Sequence, residues 1–301
     1  MNVGLVAIGR NEGERLKRCL LSARAQVKTL VYVDSGSSDG SVDFARSLGV
    51  HVVELDTRRP FTAGRARNEG ARKLREVMRE AEFVQFVDGD CELDSSWIAR
   101  GLAEFAARPG AAVICGRRRE RFPEASVYNR LCDNEWNTPV GLAAACGGDF
   151  MVRLGAFEQV QGFASDLIAG EEPDLCFRMR QAGHEIWRVD AEMTLHDAAM
   201  TEFAQWWLRN LRSGHASAEA WARRGSWAER QLLKDLVSNV MWSLPVAWPA
   251  WPVLFMRVYQ RSKDPTHAAF IVLGKLPHSQ GQLKYWFDRV RGGGGTLIEY
   301  K

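Results

Sequence analysis

The first hundred residues alternate between short apolar runs and longer stretches in which apolar positions recur every three or four residues. Each short run is typical of a buried β-strand, and each longer stretch is typical of an amphipathic helix. The strands are predicted at 3–8, 30–33, 50–55 and 83–87, and the helices at 11–26, 41–48, 63–80 and 95–107. Strands separated by helices require crossover connections, so we predict an α/β domain whose mostly parallel sheet is sandwiched by helices.

Two carboxylates, Asp88 and Asp90, follow the predicted strand 83–87 directly. Open α/β sheets bind ligands at the carboxyl ends of their strands, and paired oxygen donors suit a hard divalent cation that carries a diphosphate. An Asp-x-Asp triplet alone occurs about once by chance in a chain of this length, so its weight comes from its place at a strand end. The pair predicts nucleotide chemistry at this edge of the sheet.

The composition bounds the class of protein. The 301 residues are 46% hydrophobic and 26% charged, which excludes a disordered or fibrous chain and suits one large domain, with or without an appendage. Six cysteines occur without a Cys-x-x-Cys pair, and the N-terminus leads straight into the first predicted strand. We therefore expect a reducing, cytoplasmic location and no signal peptide.

The C-terminal third differs from the rest in charge and aromatic content. Residues 201–301 contain 14 Lys and Arg against 7 Asp and Glu, and eight of the eleven tryptophans. Residues 236–256 carry no charge, although Pro245, Pro249 and Pro252 interrupt this run. Tryptophan with basic residues is typical of a membrane–water interface. We predict a first domain over 1–225 and a helical region over 226–301 that dips into or lies on a membrane surface, the alternative being a buried helical pair.

A set of motifs resembles family 2 glycosyltransferases of the GT-A fold. The motifs stand in that family's order and spacing and cover about the first 220 residues. They are Asn11-Glu12 after the first strand, Val33 to Asp39 after the second, Ala66 to Gly70 in the third helix, Asp88-Gly89-Asp90, Gly147-Gly148-Asp149, and Gly170 to Arg178. The resemblance implies a Rossmann-like GT-A fold and transfer of a sugar from a nucleotide sugar.

On this resemblance, residues near the strand ends bind the donor, for which a UDP-sugar is favoured. Asp34 receives the nucleotide base and Arg67 contacts the diphosphate. The remaining donor-binding positions are Asn11, Glu12, Asp39 and Asp88. The alternatives are that Asp34 caps a turn, that Asp39 caps the following helix, and that Arg67 is a solvated helix charge.

The resemblance assigns the metal to Asp90, with Asp88 on the ribose or on a metal-bound water. His196 matches a late histidine that completes the metal or diphosphate site in relatives of this fold. Mn²⁺ or Mg²⁺ at this place neutralises the charge that develops on a leaving diphosphate, and an imidazole ligand favours Mn²⁺. The alternatives are a surface turn at 88–90 and a structural histidine.

An acceptor hydroxyl becomes a good nucleophile only when a base removes its proton. Glu172 matches the family's base, a position where Asp is commoner, while Glu171, Gly148 and Asp149 match the acceptor side. One base without a second carboxylate as nucleophile implies direct attack and inversion at the anomeric carbon. The alternative is that Glu171 and Glu172 only complement the dipole of a helix N-terminus.

We therefore expect a metal-dependent, inverting glycosyltransferase that acts on a saccharide or lipid-linked acceptor in polysaccharide or glycolipid synthesis. We place it at the cytoplasmic face of a membrane and expect no nucleic-acid partner. A non-catalytic nucleotide-sugar binding or assembly subunit is the main alternative, because Glu172 replaces Asp. A sugar nucleotidyltransferase is disfavoured, because Gly9-Arg10-Asn11 is too short for a phosphate loop with a lysine.

Overall fold

The computed structural model describes residues 2–56, 58–225 and 230–291. Nine β-strands form one sheet. In chain order they are β1 (Val3–Gly9), β2 (Leu30–Asp34), β3 (His51–Glu54), β4 (Phe83–Asp88), β5 (Cys91–Leu93), β6 (Ala111–Glu120), β7 (Gly141–Leu142), β8 (Phe150–Arg153) and β9 (Glu185–His196).

Twelve α-helices accompany this sheet in the described part of the chain. They are α1 (Glu14–Arg24), α2 (Ser41–Ser47), α3 (Ala63–Val77), α4 (Trp97–Ala107), α5 (Val127–Trp136), α6 (Leu154–Gln159), α7 (Glu171–Gln181), α8 (Phe203–Arg224), α9 (Arg230–Ser243), α10 (Trp251–Ser262), α11 (Pro265–Leu273) and α12 (Lys275–Val290). The four strands and four helices predicted in the first hundred residues are all present. Helix α1 begins three residues later than predicted, because Asn11 and Gly13 adopt left-handed backbone conformations.

The sheet has the order β3-β2-β1-β4-β8-β6-β9-β5, with β7 paired to β9. Strands β1 to β4 are parallel to one another, and β6 is parallel to β9, but β8 runs antiparallel to both β4 and β6, and β9 is antiparallel to β5 and β7. The sheet is therefore mixed, and the expectation of a mostly parallel sheet was wrong for the part beyond residue 110. That half contains the short β8, which follows β7 through a loop without a crossover helix.

The chain divides into two compact units. The first contains Met1–Pro123, Cys132–Leu167 and Glu171–Ala199, and the second contains Glu124–Leu131, Ile168–Gly170 and Met200–Lys301. Helix α8 belongs to the second unit. The domain boundary near residue 225 stays a prediction. Residues 226–229 and 292–301 of the predicted C-terminal region lie outside the described residues.

In the second unit, α8 and α12 approach each other closely through glycines. A Cβ at Gly214 would overlap the backbone of His278, and a Cβ at Gly281 would overlap the backbone of Leu211. Glycine at both positions lets the two helix backbones come into direct contact. The uncharged run 236–256 is not one helix, since a 3₁₀ segment, Pro245–Ala250, separates α9 from α10. Among the described helices, none is both long and apolar enough to cross a bilayer.

In the first unit, a glycine also allows helix α3 to pack closely against the sheet. Gly70 lies on the buried face of α3, where a Cβ would overlap Val6 of β1 and come within 3.0 Å of Val33 of β2. Arg67 precedes Gly70 by one helical turn and is therefore positioned by the same close approach. The packing of α3 thus determines where the Arg67 guanidinium reaches the strand ends.

We predict that Gly70→Ala lowers the free energy of unfolding by about 1–3 kcal/mol, because overpacking at the sheet exceeds the gain of up to about 1 kcal/mol in helix propensity. Denaturant unfolding followed by circular dichroism measures the change. The matched control is Gly155→Ala, an exposed glycine of α6 whose Cβ would meet no atom within 4 Å. Equal stability of Gly70→Ala and wild type would contradict the close packing of α3.

Candidate active site

Three loops meet at the carboxyl ends of β1, β2 and β4, which are neighbouring parallel strands. Asp34 ends β2 with only 2% of its surface exposed. Its carboxylate accepts hydrogen bonds from the Tyr32 hydroxyl at 2.8 Å and from the backbone N–H groups of Gly36 and Ser37 at 2.9 and 2.8 Å. Asp34 therefore does cap the turn after β2, and a carboxylate has room for one further donor beyond these three.

Asn11 and Asp39 tie the loop after β1 to the loop after β2. The Asn11 N–H donates to Ser37 Oγ at 2.9 Å, and Asn11 Oδ1 accepts from the Ser38 N–H at 2.8 Å. Asp39 accepts from the Gly13 N–H at 2.9 Å and from the Ser41 hydroxyl at 2.6 Å. Burial acts to raise the pKa of Asp39, but these hydrogen bonds lower it overall. Asp39 thus has the capping role that was the alternative to donor binding, and it also fixes the neighbouring loop.

Glu12 lies beside these loops, with its carboxylate 2.7 Å from the Arg15 guanidinium. A Cβ at Gly89 would come within 3.3 Å of the Glu12 side chain. Glu12 is therefore held between the loop after β1 and the turn of the Asp-Gly-Asp motif.

A network of buried ion pairs lies at the end of β4. Arg67 donates to Asp88 Oδ1 at 2.6 Å and to Glu171 Oε1 at 2.7 Å, and its side chain is only 3% exposed. Arg118 of β6 donates to Asp88 Oδ2 at 3.0 Å, and its Nε lies 3.1 Å from Asp149 Oδ2. Asp88 therefore binds two guanidinium groups, one from a helix and one from a strand.

The pKa values in this network shift in opposite directions. Burial acts to lower the pKa of Arg67, but the carboxylates of Asp88 and Glu171 raise it overall. Burial acts to raise the pKa of Asp88, but Arg67 and Arg118 lower it overall. These groups are therefore charged at neutral pH, with each charge compensated by its neighbours.

Asp149 is a buried carboxylate that contacts this network. It is only 1% exposed. Its carboxylate accepts from the Asp88 N–H at 2.9 Å and from the Thr194 hydroxyl at 2.8 Å. The neighbouring Gly148 lies so near that a Cβ there would be 2.7 Å from Asp88 Oδ2 and 3.0 Å from Arg67 Nη2. Gly148 thus brings this loop against the ion pairs, while the Asp149 side chain faces inward.

Asp90 and His196 meet beside the network. Asp90 Oδ2 lies 3.3 Å from His196 Nε2, and Asp90, Cys91 and His196 place one ligand atom each within 4.8 Å of one another. On its other side, His196 Nδ1 lies 3.4 Å from Glu120 Oε2. A histidine that ligates a metal generally gives its other ring N–H to a carboxylate. The donor set therefore fits a divalent cation, with Asp90 and His196 as ligands and Glu120 as the group that orients the ring.

The sheet register creates this corner. Strand β9 lies between β5 and β6, so His196 has Cys91 on one side and Glu120 on the other. Two residues earlier on the same face, Thr194 has Arg118 beside it. Two consecutive rows of side chains thus project from three strands to the same site.

Glu171 and Glu172 begin α7 but point to different surroundings. Glu171 pairs with Arg67, whereas Glu172 is 6% exposed and accepts from the Cys146 N–H and, at 3.1 Å, from the Cys176 thiol. Burial raises the pKa of Glu172, although these hydrogen bonds act against it. The structure brings Glu171 to the Asp88 network and Glu172 to a cluster of cysteines behind the Gly147-Gly148 loop.

Sequence reasoning missed three residues of the site: Arg118, Glu120 and Trp136. The Arg118 guanidinium lies 5.1 Å from the centre of the Trp136 ring, whose edge contact with the His196 ring has a centroid distance of 4.6 Å. The available signal was Arg117-Arg118-Arg119-Glu120, a charged run at the end of an apolar strand. Alternation along β6 points Arg118 and Glu120 to one face, which a strand prediction would have suggested.

Comparison with known proteins agrees with this geometry. The model of Glycosyl transferase family 2 matches residues 6–150. Glycosyltransferase AglE of Haloferax volcanii is 22% identical over 297 residues, which is 91% of this chain and 93% of that protein. The succinoglycan biosynthesis protein ExoA of Rhizobium meliloti is 22% identical over 189 residues, which is 59% of this chain and 55% of that protein.

A solved structure shares the fold. The mannosyltransferase PcManGT from Pyrobaculum calidifontis, determined in complex with GDP-Man and Mn²⁺, aligns with a TM-score of 0.67 and 15% identity, covering 96% of this chain and 88% of that one. The fold is therefore GT-A-like, with a mixed sheet flanked by helices. The family match over residues 6–150 and the relative AglE, which aligns over most of both chains, support a family 2 glycosyltransferase.

Proposed function

We propose that this glycosyltransferase moves a sugar from a nucleotide-sugar donor to a hydroxyl of a saccharide or lipid-linked acceptor, with inversion and with a divalent metal ion. The observation that carries the proposal is the meeting of Asp88, Asp90 and His196 with two buried arginines at the carboxyl ends of the strands. A cation site beside two guanidinium groups suits a diphosphate leaving group. Glycosyl transfer follows from the family resemblance, whereas the donor, the acceptor, inversion and the use of a metal ion are proposed.

The donor would lie over the ends of β1, β2 and β4. The nucleoside would be surrounded by Asp34 and by the loops that contain Asn11, Glu12 and Asp39. The diphosphate would contact Arg67. The Arg67 guanidinium pairs with Asp88 and Glu171. Arg118 joins Arg67 in this proposal because it shares Asp88 with it. A UDP-sugar is the first donor to test, with GDP-mannose second because PcManGT was determined with it.

The metal would be Mn²⁺ or Mg²⁺, held by Asp90 and His196 and adjoining Asp88. Such a cation would neutralise charge on the departing diphosphate. Within the protein, Glu120 holds the His196 ring so that Nε2 faces Asp90. Arg67 and Arg118 keep Asp88 ionised, because their charges lower its pKa.

Glu172 is proposed as the base that accepts the proton of the acceptor hydroxyl. Its raised pKa makes its carboxylate a stronger base at neutral pH than an ordinary glutamate. It lies just behind the Gly147-Gly148 loop, through the hydrogen bond from Cys146. Glu171, Gly148 and Asp149 would shape the acceptor side, with Asp149 acting through Asp88 because its own side chain is fully buried. Glu171 is the competing base, since it is nearer the Asp88 network.

The second unit is proposed to bind to the cytoplasmic face of a membrane. In α9, α10 and the 3₁₀ segment between them, no residue is buried, and several large apolar side chains are exposed: Val237, Met241, Leu244, Val246, Trp248, Val253 and Met256. Lys234, Arg257, Arg261 and Lys263 flank this surface. Apolar burial and attraction to anionic lipid would then act together.

The direct test of the function is transfer or hydrolysis with a panel of UDP-, GDP- and dTDP-sugars and either Mn²⁺ or Mg²⁺. Thermal-shift screening of the same panel comes first, since a ligand at 100 times its dissociation constant adds about 2.7 kcal/mol to stability. Donor binding without turnover on any acceptor would favour the binding or assembly subunit. Release of pyrophosphate from a sugar phosphate and a nucleoside triphosphate would favour a nucleotidyltransferase.

We predict that Asp90→Ala and His196→Ala each remove the metal-dependent part of donor binding, because the cation loses a ligand at the diphosphate. Calorimetric titration of the donor with Mn²⁺ and with a chelator measures it. The control is Asp43→Ala, which removes an exposed carboxylate of α2. If both site variants kept the wild-type response to Mn²⁺, the metal assignment would be wrong.

We predict that Glu172→Gln lowers turnover by roughly 10²–10⁴-fold with little change in donor affinity, because the amide keeps the shape but accepts no proton. Glu171→Gln is the matched comparison, since it removes the neighbouring carboxylate and its ion pair with Arg67. Steady-state kinetics and donor titration separate the two. A large loss of turnover in Glu171→Gln alone would move the base to Glu171.

The pH dependence of stability provides an independent check on Glu172. Since its pKa is raised in the folded chain, its contribution to stability is full below the unfolded-state pKa and is lost as the pH rises through the folded-state pKa. The stability of wild type relative to Glu172→Gln should therefore fall as the pH rises above the ordinary range of glutamate. A difference that is constant with pH would show that Glu172 titrates normally.

We predict that wild type co-sediments with anionic liposomes and is partly released by salt, and that Val246→Asp with Val253→Asp abolishes co-sedimentation. Both side chains are well exposed, at 84% and 69%, so folding should be unaffected. Val290→Asp, an 86% exposed position of α12 outside this surface, is the control. Equal binding by all three proteins would remove the membrane proposal for this surface.

A further inference from the structure

Cys146, Glu172 and Cys176 form a second cluster of possible metal ligands in the first unit. Cys146 lies in the loop between β7 and β8, while Glu172 and Cys176 are one turn apart on α7. Residues four apart share a face of a helix, so α7 presents a carboxylate and a thiol together to the Cys146 thiol. The three ligand atoms all lie within 4.8 Å of one another.

The spacing of these atoms is close to that of a tetrahedral zinc site. The two sulfur atoms are 3.5 Å apart, and Cys176 Sγ lies 3.1 Å from Glu172 Oε1. Two sulfur ligands at about 2.3 Å from a tetrahedral Zn²⁺ are about 3.8 Å apart, and a sulfur and an oxygen ligand are about 3.5 Å apart. Each observed separation needs to increase by only a few tenths of an ångström.

The number of thiols distinguishes this cluster, which has two, from the corner of Asp90, Cys91 and His196, which has one. Thiolates prefer Zn²⁺ and other soft or borderline cations, whereas Mg²⁺ and Mn²⁺ prefer oxygen ligands. Cys146 is half-buried, so the cluster lies close to the surface of the loop before β8. Three protein ligands leave the fourth tetrahedral position open.

We infer that Cys146, Cys176 and Glu172 form a Zn²⁺ site separate from the proposed site of the donor metal. Binding converts two thiols to thiolates and releases their protons to solvent. Because protons compete with the cation for these ligands, binding weakens as the pH falls.

Occupation of this site has a consequence that rests on the proposed function. A Glu172 carboxylate bound to Zn²⁺ cannot accept the proton of an acceptor hydroxyl. Zn²⁺ then inhibits transfer while leaving donor binding intact, because Asp34, Arg67 and Asp90 are not its ligands. Because Cys146 belongs to the same loop as Gly148, Zn²⁺ at this site also binds the loop that packs against Asp88.

The test uses the full-length chain, stripped of metal and kept reduced with a phosphine. Zn²⁺ is titrated against a chromophoric chelator for wild type and for the Cys146→Ser, Cys176→Ser, His196→Ala and Cys132→Ser variants. We expect the zinc affinity to fall in both cluster variants by more than the roughly 10–100-fold that loss of an outer-shell partner costs. The affinity should be retained in His196→Ala and in Cys132→Ser, which removes a buried thiol of α5 outside the cluster.

A second measurement on wild type avoids any folding defect of the variants. Co²⁺ coordinated by thiolates gives a sulfur-to-metal charge-transfer band in the near ultraviolet whose intensity rises with the number of thiolates, so the two thiols of the cluster are distinguished from the single Cys91 thiol beside Asp90 and His196. We expect that band, displaced by one equivalent of Zn²⁺. Its absence, or zinc binding that only His196→Ala removes, overturns the inference.

Activity then separates the two proposals. If zinc binds at the cluster and transfer stops while donor affinity is unchanged, both stand. If zinc binds there and transfer continues at the wild-type rate, the zinc site stands and the role of Glu172 as base is wrong.

Discussion

The ion pairs around Asp88 are the constraint on which the site depends. Asp88 binds Arg67 and Arg118, Arg67 also binds Glu171, and Arg118 also lies against Asp149. A buried charge is tolerated only when it is paired, and removal of one partner of a buried pair typically costs about 3–5 kcal/mol. Since α3, β4, β6, α7 and the loop before β8 each supply one of these five charges, the network fixes five separate segments against one another.

The same network limits how a donor diphosphate would bind at the proposed site. Both guanidinium groups already have carboxylate partners, so at the proposed site a diphosphate would share them with those carboxylates. Asp88 is the shared partner, and its neighbour Asp90 is turned toward His196. Two negatively charged groups, the donor and Asp88, would then share the arginines, and a divalent cation nearby would offset the excess negative charge.

Much of the fold and part of the site were predictable from the sequence, because they depend on local patterns. The first four strands and the first four helices follow from apolar periodicity, whereas β5 was not predicted, and Asp34, Asp88 and Asp90 follow from their place at strand ends. The reversal of β8 and the approach of Arg118 to Asp88 depend on pairings between residues thirty or more positions apart. No local signal specifies such pairings, since they result from the way the whole sheet packs.

The two glutamates of α7 show the same limit in a single dipeptide. Their order in the motif suggested one base and one acceptor residue, but not that adjacent side chains would enter different environments. Successive residues on a helix are rotated by about 100°, so Glu171 turns toward Arg67 and Glu172 toward Cys146. The identity of the partners came only from tertiary packing.

Strand β9 has a further consequence, which concerns insertions and deletions. Its residues Thr194 and His196 face the site after an irregularity near Arg117, where β9 has extra residues and its pairing with β6 shifts before Arg118 and Glu120 come into line. A strand alternates its faces, so one residue more or less after that point would turn Thr194 and His196 to the opposite side of the sheet together. The length of the segment between the irregularity and His196 is therefore as firmly constrained as the identity of the histidine itself.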